Sequence, residues 1–146
     1  MSVETAWREI EAEHTLLGEK LAEVVRLCPG RETRVNCHAC PYAQPLECSY
    51  KLQDMVGDLL AYMVSHFRHE ESLMRHWGVL ASRKDMCDRH MEDHGDISEA
   101  FGALAVSLHG DNPLPRVRDI YSLLHAWLGP HIEEHDRPLL EHFSGR

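Results

Sequence analysis

The residues of this chain most able to do chemistry are His66 and Glu70, which lie in the middle of an otherwise apolar stripe. The stripe repeats at alternating spacings of four and three, which keeps its side chains on one face of a helix. A glutamate on a buried face is costly unless its charge is paired or bound to a metal ion. The pattern therefore predicts a helix that presents metal ligands to the core along Leu52, Val56, Leu59, Met63, His66, Glu70, Leu73 and Trp77.

Histidine also occurs on the apolar face of three further helical patterns. His14 lies on the first of these, His90 and His94 lie four residues apart on the next, and His131 lies on the last. A single histidine on such a face is usually an ordinary core residue with a hydrogen-bond partner. Histidines on all four faces, in register with a glutamate, favour a shared metal site. Histidines off these faces, such as His69, are expected on the solvated surface.

The last helix offers two candidate ligands beyond His131. Asp136 follows it by five residues, which is about 140° round an ideal α-helix. His135 follows it by four residues and is therefore the geometric competitor. Spacing alone leaves both candidates open.

The combined ligand set indicates the kind of metal. Imidazole and carboxylate together suit first-row transition metals, and the absence of inward-facing thiols disfavours an iron–sulfur site. The set exceeds what one ion takes, whereas two ions that share the carboxylates would use all of it, as in other helical bundles. We therefore expect two irons, with the ligands His14, His66, Glu70, His90, His94, His131 and Asp136.

Four amphipathic helices must position these side chains. Ser2 or Thr5 can cap the first helix, which Pro29 ends. Pro45 suits the first turn of the second helix, which should continue to about Gly78. The segment between them has neither helical nor strand periodicity, so we expect a long ordered loop.

The third and fourth helices have their own boundary signals. Ser82 followed by Asp85 resembles a capping pair that opens the third helix. Pro115 suits the first position of the fourth helix. Pro130 lies inside that helix, where a proline removes one backbone hydrogen bond, and we expect a bend there rather than a stop.

These elements predict an all-α fold. With no strand pattern and no internal repeat, the natural architecture is an antiparallel up-down four-helix bundle with a cysteine-bearing loop between the first and second helices. A chain of 146 residues fits one domain, residues 1–146, with the loop as an insert at about 29–45.

Composition narrows the function. A net charge of −9 with scattered basic residues argues against nucleic-acid binding and against an anionic membrane surface. No apolar run is long enough to span a membrane, and the polar N-terminus is not typical of a signal peptide. The odd cysteine count fits a disulfide-bonded secreted protein poorly, so we expect a reducing, cytoplasmic location.

The order and spacing of the candidate ligands resemble those of the bacterial hemerythrins. The family pattern is an early histidine, then His-x3-Glu, His-x3-His and His-x4-Asp, and all four parts occur here in that order. The segments His66-Phe-Arg-His-Glu-Glu-Ser-Leu-Met74 and Trp127-Leu-Gly-Pro-His-Ile132 are also similar to the family's. Departures are the cysteine-bearing insert, the Gly129-Pro130 pair and a longer connection from Glu70 to His90.

The resemblance implies an oxo- or hydroxo-bridged di-iron centre. One iron takes three histidines, the other takes two, and two carboxylates bridge both. The implied assignment is His90, His94 and His131 for the first iron, His14 and His66 for the second, and Glu70 and Asp136 for the bridges. In this family the last helix selects Asp136 over His135.

The iron with two histidines keeps an open coordination position, where a small ligand can bind. Dioxygen is the ligand that the resemblance implies, and an imidazole-rich set favours reversible binding for oxygen storage, delivery or sensing over oxygenation. An apolar pocket would limit access of water. Its candidate lining residues are Trp7, Ile10, Phe67, Ile97, Phe101 and Trp127.

Two other functions stay open. The same irons could act as an enzyme or repair protein on peroxide or nitric oxide, although no obvious acid or thiol accompanies the open position. Alternatively, the oxygenated and deoxygenated states could alter a surface that a partner protein recognises, with the cysteine-bearing loop as the natural surface.

The cysteines form a second candidate site. Cys37 and Cys40 have the tight Cys-x2-Cys spacing of zinc sites, and Cys28 and Cys48 flank them from the two helix ends. The four could bind one zinc ion, form disulfides on oxidation with Cys87 as a fifth member, or pack as small apolar groups. The disulfide is the leading interpretation, since no second close pair completes a zinc motif.

Overall fold

The computed structural model describes residues 2–144 and is helical, with no strand in that range. Four long helices carry most of the chain, and a π-helical segment, Ile132–Asp136, follows the last of them. The helices are α1 Val3–Arg26, α2 Pro45–His76, α3 Val79–Ser82, α4 Lys84–Val106, α5 Leu114–His131 and α6 Arg137–Ser144. No helix in residues 2–144 is long and apolar enough to cross a membrane.

The first two long helices begin where the sequence predicts. The Ser2 hydroxyl accepts a hydrogen bond from the Thr5 backbone N–H at 3.1 Å, which satisfies one of the free donors at the start of α1. Pro45 opens α2, where a missing N–H costs nothing. Both predictions of a helix start are confirmed.

The predicted cap of the third long helix is wrong. Ser82 is the last residue of the short helix α3, and α4 begins after Arg83 with no side-chain cap. The reason lies at Gly78, whose φ of 69° is the left-handed conformation that glycine adopts without strain. The turn at Gly78 restarts the helix at Val79, which is fully buried, so the chain reaches Ser82 in helical form.

The four long helices share one core. α1 packs against α2 and α5, α2 packs against α4, and α4 packs against α5. Each predicted stripe contributes buried apolar residues to this core. They include Leu17, Leu21 and Val24 of α1, Leu52, Val56, Leu59 and Met63 of α2, Ile97 and Phe101 of α4, and Val117, Ile120 and Leu124 of α5.

The segment between α1 and α2 has no helix or strand and is fastened by polar contacts. The Arg118 guanidinium, on α5, donates to the backbone carbonyls of Arg31 and Arg34. The Cys37 backbone N–H donates to the Asn112 side chain at 2.8 Å. These contacts hold residues 27–44 against the start of α5.

The chain passes Pro130 without a break in helical structure. α5 includes Pro130 near its end, and the π-helical segment and α6 follow directly. α6 returns to contact α1, where Leu139 and Phe143 pack in a second apolar cluster with Met74 and Val79. The C-terminal segment thus closes the end of the molecule that carries the histidines.

Candidate metal centre

The structure brings together the side chains of all seven predicted ligands. Their ligand atoms form two groups, and within each group the atoms lie within 4.8 Å of one another. Both groups contain Glu70 and Asp136, whose side chains are almost completely buried. The first group adds His14 and His66, and the second adds His90, His94 and His131.

Glu70 divides its two oxygens between the groups. Oε1 lies 2.5 Å from His66 Nε2. Oε2 lies 2.8 Å from His90 Nε2 and 3.2 Å from His94 Nε2. A carboxylate with one oxygen toward each group is placed to bridge two ions.

Asp136 is arranged in the same way. Oδ2 lies 2.8 Å from His14 Nε2, whereas Oδ1 lies 2.8 Å from His90 Nε2 and 3.0 Å from His131 Nε2. The cause is local, because residues 132–136 form a π-helical turn. A π turn closes its hydrogen bonds over five residues, so a residue five positions on returns to the same face.

His135 occupies a different position. It is half-buried, and its ring stacks on the His90 ring with centroids 5.2 Å apart. Burial and the neighbouring His90 lower the pKa of His135. Its ring nitrogen approaches Asp93 and His131, but it belongs to neither of the two groups that share the carboxylates.

The donor set fits a metal ion. Within residues 2–144, polar side-chain atoms that are buried without a hydrogen-bond partner occur mainly at this site. Such atoms are costly in a protein interior unless something else satisfies them. They are Nε2 of His14, His66, His90 and His131, Oε1 of Glu70 and both carboxylate oxygens of Asp136.

Three further carboxylates, which the sequence interpretation missed, contact the other ring nitrogen of a histidine. Glu13 accepts from His66 Nδ1 at 3.2 Å, Glu71 from His94 Nδ1 at 3.1 Å, and Asp93 from His131 Nδ1 at 2.5 Å. A carboxylate on Nδ1 fixes the proton there and leaves Nε2 as the ligand atom.

Each of these carboxylates is next to a predicted ligand in the chain, but it accepts a hydrogen bond from a histidine on another helix. Glu13 precedes His14, and Asp93 precedes His94. One residue is about 100° round a helix, which turns the side chain from the centre toward the neighbouring helix. An acidic residue beside an inward ligand is therefore a signal that a sequence search could use.

Glu13 also accepts from His69 Nδ1 at 2.7 Å. His69 is 28% exposed, so it lies at the partly solvated edge of the site. Burial raises the pKa of Glu13, but its contacts with His66 and His69 outweigh burial and lower it.

The charges at the centre stabilise one another when no metal is bound. Burial lowers the pKa of His131, but close contacts with Asp136 and Glu70 outweigh burial and raise it to about 10. For His66, contacts with Glu13 and Glu70 likewise outweigh burial and raise the pKa to about 9. Burial raises the pKa of Asp136, yet the surrounding histidines bring it down to about 2.

An apolar cavity reaches the carboxylates of Glu70 and Asp136. Its wall contains Glu70 and Asp136 together with Trp7, Ile10 and side chains of α6 such as Leu139. Trp7 also contacts the His14 ring edge-on, with centroids 6.4 Å apart. Two of the six predicted lining residues, Trp7 and Ile10, therefore line a cavity at the site.

The other four predicted lining residues lie outside that cavity. Phe67 stacks on the His94 ring at 4.0 Å, and Trp127 stacks on the His131 ring at 4.4 Å. Trp127 also donates its indole N–H to Asp93 at 2.9 Å. Ile97 and Phe101 belong to the main core. Phe67 and Trp127 thus hold the histidine rings in place.

The four loop cysteines surround a separate cavity. Cys28, Cys37, Cys40 and Cys48 all line it, and all five cysteines of the chain are free thiols in the structure. Cys87 is elsewhere, fully buried in the apolar cluster that contains Met74 and Phe143.

The helical fold and the buried His/Glu/Asp cluster together indicate an all-α protein that binds a metal cation. A family model described as the hemerythrin HHE cation binding domain matches residues 5–143. The chain therefore belongs to the hemerythrin family, as its sequence resemblance indicates. A search of curated proteins and a search of solved structures each returned no significant match.

Proposed function

We propose that the protein binds dioxygen reversibly at a di-iron centre, for oxygen storage, delivery or sensing. The observation that carries this proposal is the division of the carboxylate oxygens of Glu70 and Asp136 between two histidine groups. One group has three histidines and the other has two. Two irons bound here would supply a redox-active pair with one incompletely coordinated member, where a small ligand can bind.

The chain prepares the centre by fixing its histidines. The contacts of Glu13, Glu71 and Asp93 with Nδ1 atoms leave the Nε2 atoms of three rings facing inward. Stacking by Phe67 and Trp127 sets the planes of two of these rings. Ligand atoms held by such contacts need little rearrangement to receive ions.

The cavity supports a small, uncharged ligand. Among the described residues that line it, the ionisable side chains are Glu70 and Asp136, both of which the proposal assigns to the metals. The remaining wall is apolar apart from the indole N–H groups of Trp7 and Trp77, which limits entry of water and protons. No free acid or base lines the cavity within residues 2–144 to drive turnover, which supports reversible binding over catalysis.

We also propose that the long helices form an antiparallel up-down bundle in one domain covering residues 1–146. The ligands support this topology because they alternate between helix halves. His14 is in the first half of α1, His66 and Glu70 in the second half of α2, and His90 in the first half of α4. Side chains so placed meet when consecutive helices run in opposite directions.

Metal analysis of the purified chain tests the proposal. We expect about two irons per chain and an optical spectrum that changes with dioxygen and returns on its removal. His66→Ala should lose both ions, because the shared carboxylates couple their binding. His76→Ala is the matched control, since His76 is exposed on the same helix, and it should keep both.

Several results would contradict the proposal. Binding of a single metal, or zinc with no dioxygen-dependent spectrum, would exclude the di-iron assignment. Rapid irreversible oxidation by dioxygen, or turnover of peroxide or nitric oxide, would favour the enzyme instead of the oxygen-binding protein.

A further inference from the structure

We propose that Cys28, Cys37, Cys40 and Cys48 form a tetrathiolate site for one zinc ion that fastens the loop of residues 27–44 to the bundle. The first observation is their convergence. Three of the four come from the segment of residues 27–44 and Cys48 comes from the first turn of α2, yet all line one cavity. This site is separate from the histidine centre and does not depend on the di-iron proposal.

The second observation is that backbone N–H groups donate to three of the four sulfur atoms. The Cys37 sulfur accepts the Leu114 backbone N–H at 3.3 Å. The Cys40 sulfur accepts backbone N–H groups of Tyr42 and Ala43, which lower its pKa. The Cys28 sulfur accepts from Gly30. Backbone donors stabilise a negatively charged sulfur, whereas a disulfide has no charge for them to compensate.

Cys48 completes the set from a helix terminus. It lies in the first turn of α2, where the positive end of the helix dipole favours a thiolate. Lys51 also favours the charged form of Cys48, and Arg34 does so for Cys40. Burial and the neighbouring cysteines nevertheless raise the pKa of Cys28 and Cys48, and Glu47 adds to this at Cys48. A bound cation is therefore needed to stabilise these two thiolates.

The surroundings of the cavity fit a structural ion. Apart from the cysteines, its wall is mostly apolar, with Leu52, Pro113 and Val117 among its members. Four thiolates are a ligand set of structural zinc, which leaves no open coordination position for chemistry. Binding releases the thiol protons to solvent, and no oxidant is required.

Closure onto an ion requires the sulfur atoms to move together. In the described part of the chain, tight groups of three or more ligand atoms occur at the histidine centre and not at this cavity. Zinc–sulfur distances are about 2.3 Å. Cys37 and Cys40 lie in a segment without helix or strand, so the backbone there can adjust. Binding should therefore stiffen the loop.

The test is zinc analysis of the full chain purified under reducing conditions. We expect about one zinc per chain in addition to iron. The double variant Cys37→Ser/Cys40→Ser should lose zinc and keep iron, while His66→Ala should lose iron and keep zinc. Cys87→Ala is the matched control, because it removes a buried thiol outside the cavity and should keep both metals.

A second measurement does not depend on variants. Protein stripped of metal should bind Co²⁺ with an intense thiolate-to-cobalt absorption band, which a histidine and carboxylate site cannot produce. Five reactive thiols with no zinc would overturn the proposal. Two disulfides with Cys87 as the remaining thiol, or iron in place of zinc at the cysteines, would overturn it as well.

Discussion

Asp93 shows how much of this site depends on residues that would not touch a metal. Its carboxylate accepts from both His131 Nδ1 and the Trp127 indole N–H, so it fixes a ligand and the ring stacked on that ligand. It is half-buried on α4, while both partners lie on α5. The contact therefore orients the ligand across a helix interface.

Replacing Asp93 by Ala should weaken metal binding without removing a ligand. We expect affinity for the metals to fall about 10–100-fold, the usual effect of losing such a carboxylate. Competition with a chelator measures this change. Asp96→Ala is the control, because Asp96 is exposed on the same helix. Equal chelator sensitivity in both variants would show that Asp93 has no orienting role.

At the scale of secondary structure, the π-helical segment Ile132–Asp136 decides whether His135 or Asp136 faces the buried histidine cluster. An α-helical turn would bring His135 to the face of His131. The π turn brings Asp136 there instead and leaves His135 stacked against His90. The register of one turn thus selects between an imidazole and a carboxylate that contacts both histidine groups.

This selection predicts opposite outcomes for two neighbouring substitutions. Asp136→Ala should abolish the paired-iron spectrum, because both of its oxygens are needed by the two groups. His135→Ala should leave that spectrum nearly unchanged. Iron content and the optical spectrum of both variants provide the measurement. The reverse result would mean that the last turn is α-helical in the metal-bound protein.

The long helices could be predicted, because the spacing of apolar residues indicates which face of a helix is buried. The same spacing predicted which histidines point inward. The π turn could not be predicted from spacing, because it is a change in hydrogen-bond register that leaves the residue types unaltered. The contacts of Glu13, Glu71 and Asp93 could not be predicted for another reason. On their own helices these residues resemble ordinary surface charges, and their histidine partners are on other helices.

At the scale of the whole molecule, the buried charges make stability depend on pH. The pKa of His131 is about 10 and that of His66 about 9 in the folded metal-free chain, against an ordinary 6.5. Folding therefore strengthens proton binding at these rings. The resulting stabilisation is complete below pH 6.5 and is lost as the pH rises through these two values.

Asp136 contributes with the opposite sign. Its pKa is lowered from 3.8 to about 2, so its stabilisation is present above 3.8 and is lost as the pH falls through about 2. Contacts with histidines also outweigh burial and lower the pKa of Glu13 and Glu70 from 4.5, so the unfolding temperature of metal-free protein should be highest between pH 4.5 and 6.5 and fall toward pH 10. Thermal unfolding across this range is the measurement.

His131→Gln provides the control for this effect. Its unfolding temperature should decline less between pH 6.5 and 10, because the variant lacks the ring with the most raised pKa. Metal-loaded protein should behave differently, since ions compete with protons for the same nitrogens and bind more tightly as pH rises. If the unfolding temperature of the metal-free chain rose toward pH 10, the raised pKa values of His131 and His66 would be contradicted.

The contact between His14 and Asp136 joins the first long helix to the segment just before the last helix. During synthesis the earlier ligands emerge long before Asp136, so a ribosome-bound chain can offer histidines but cannot offer the complete pair of sites. Capture of metal by the full set of ligands therefore requires Asp136 to have been synthesised and packed against α1. Ions held by both groups would join α1 to the segment Ile132–Asp136, and separation of these two elements would require the metals to leave first.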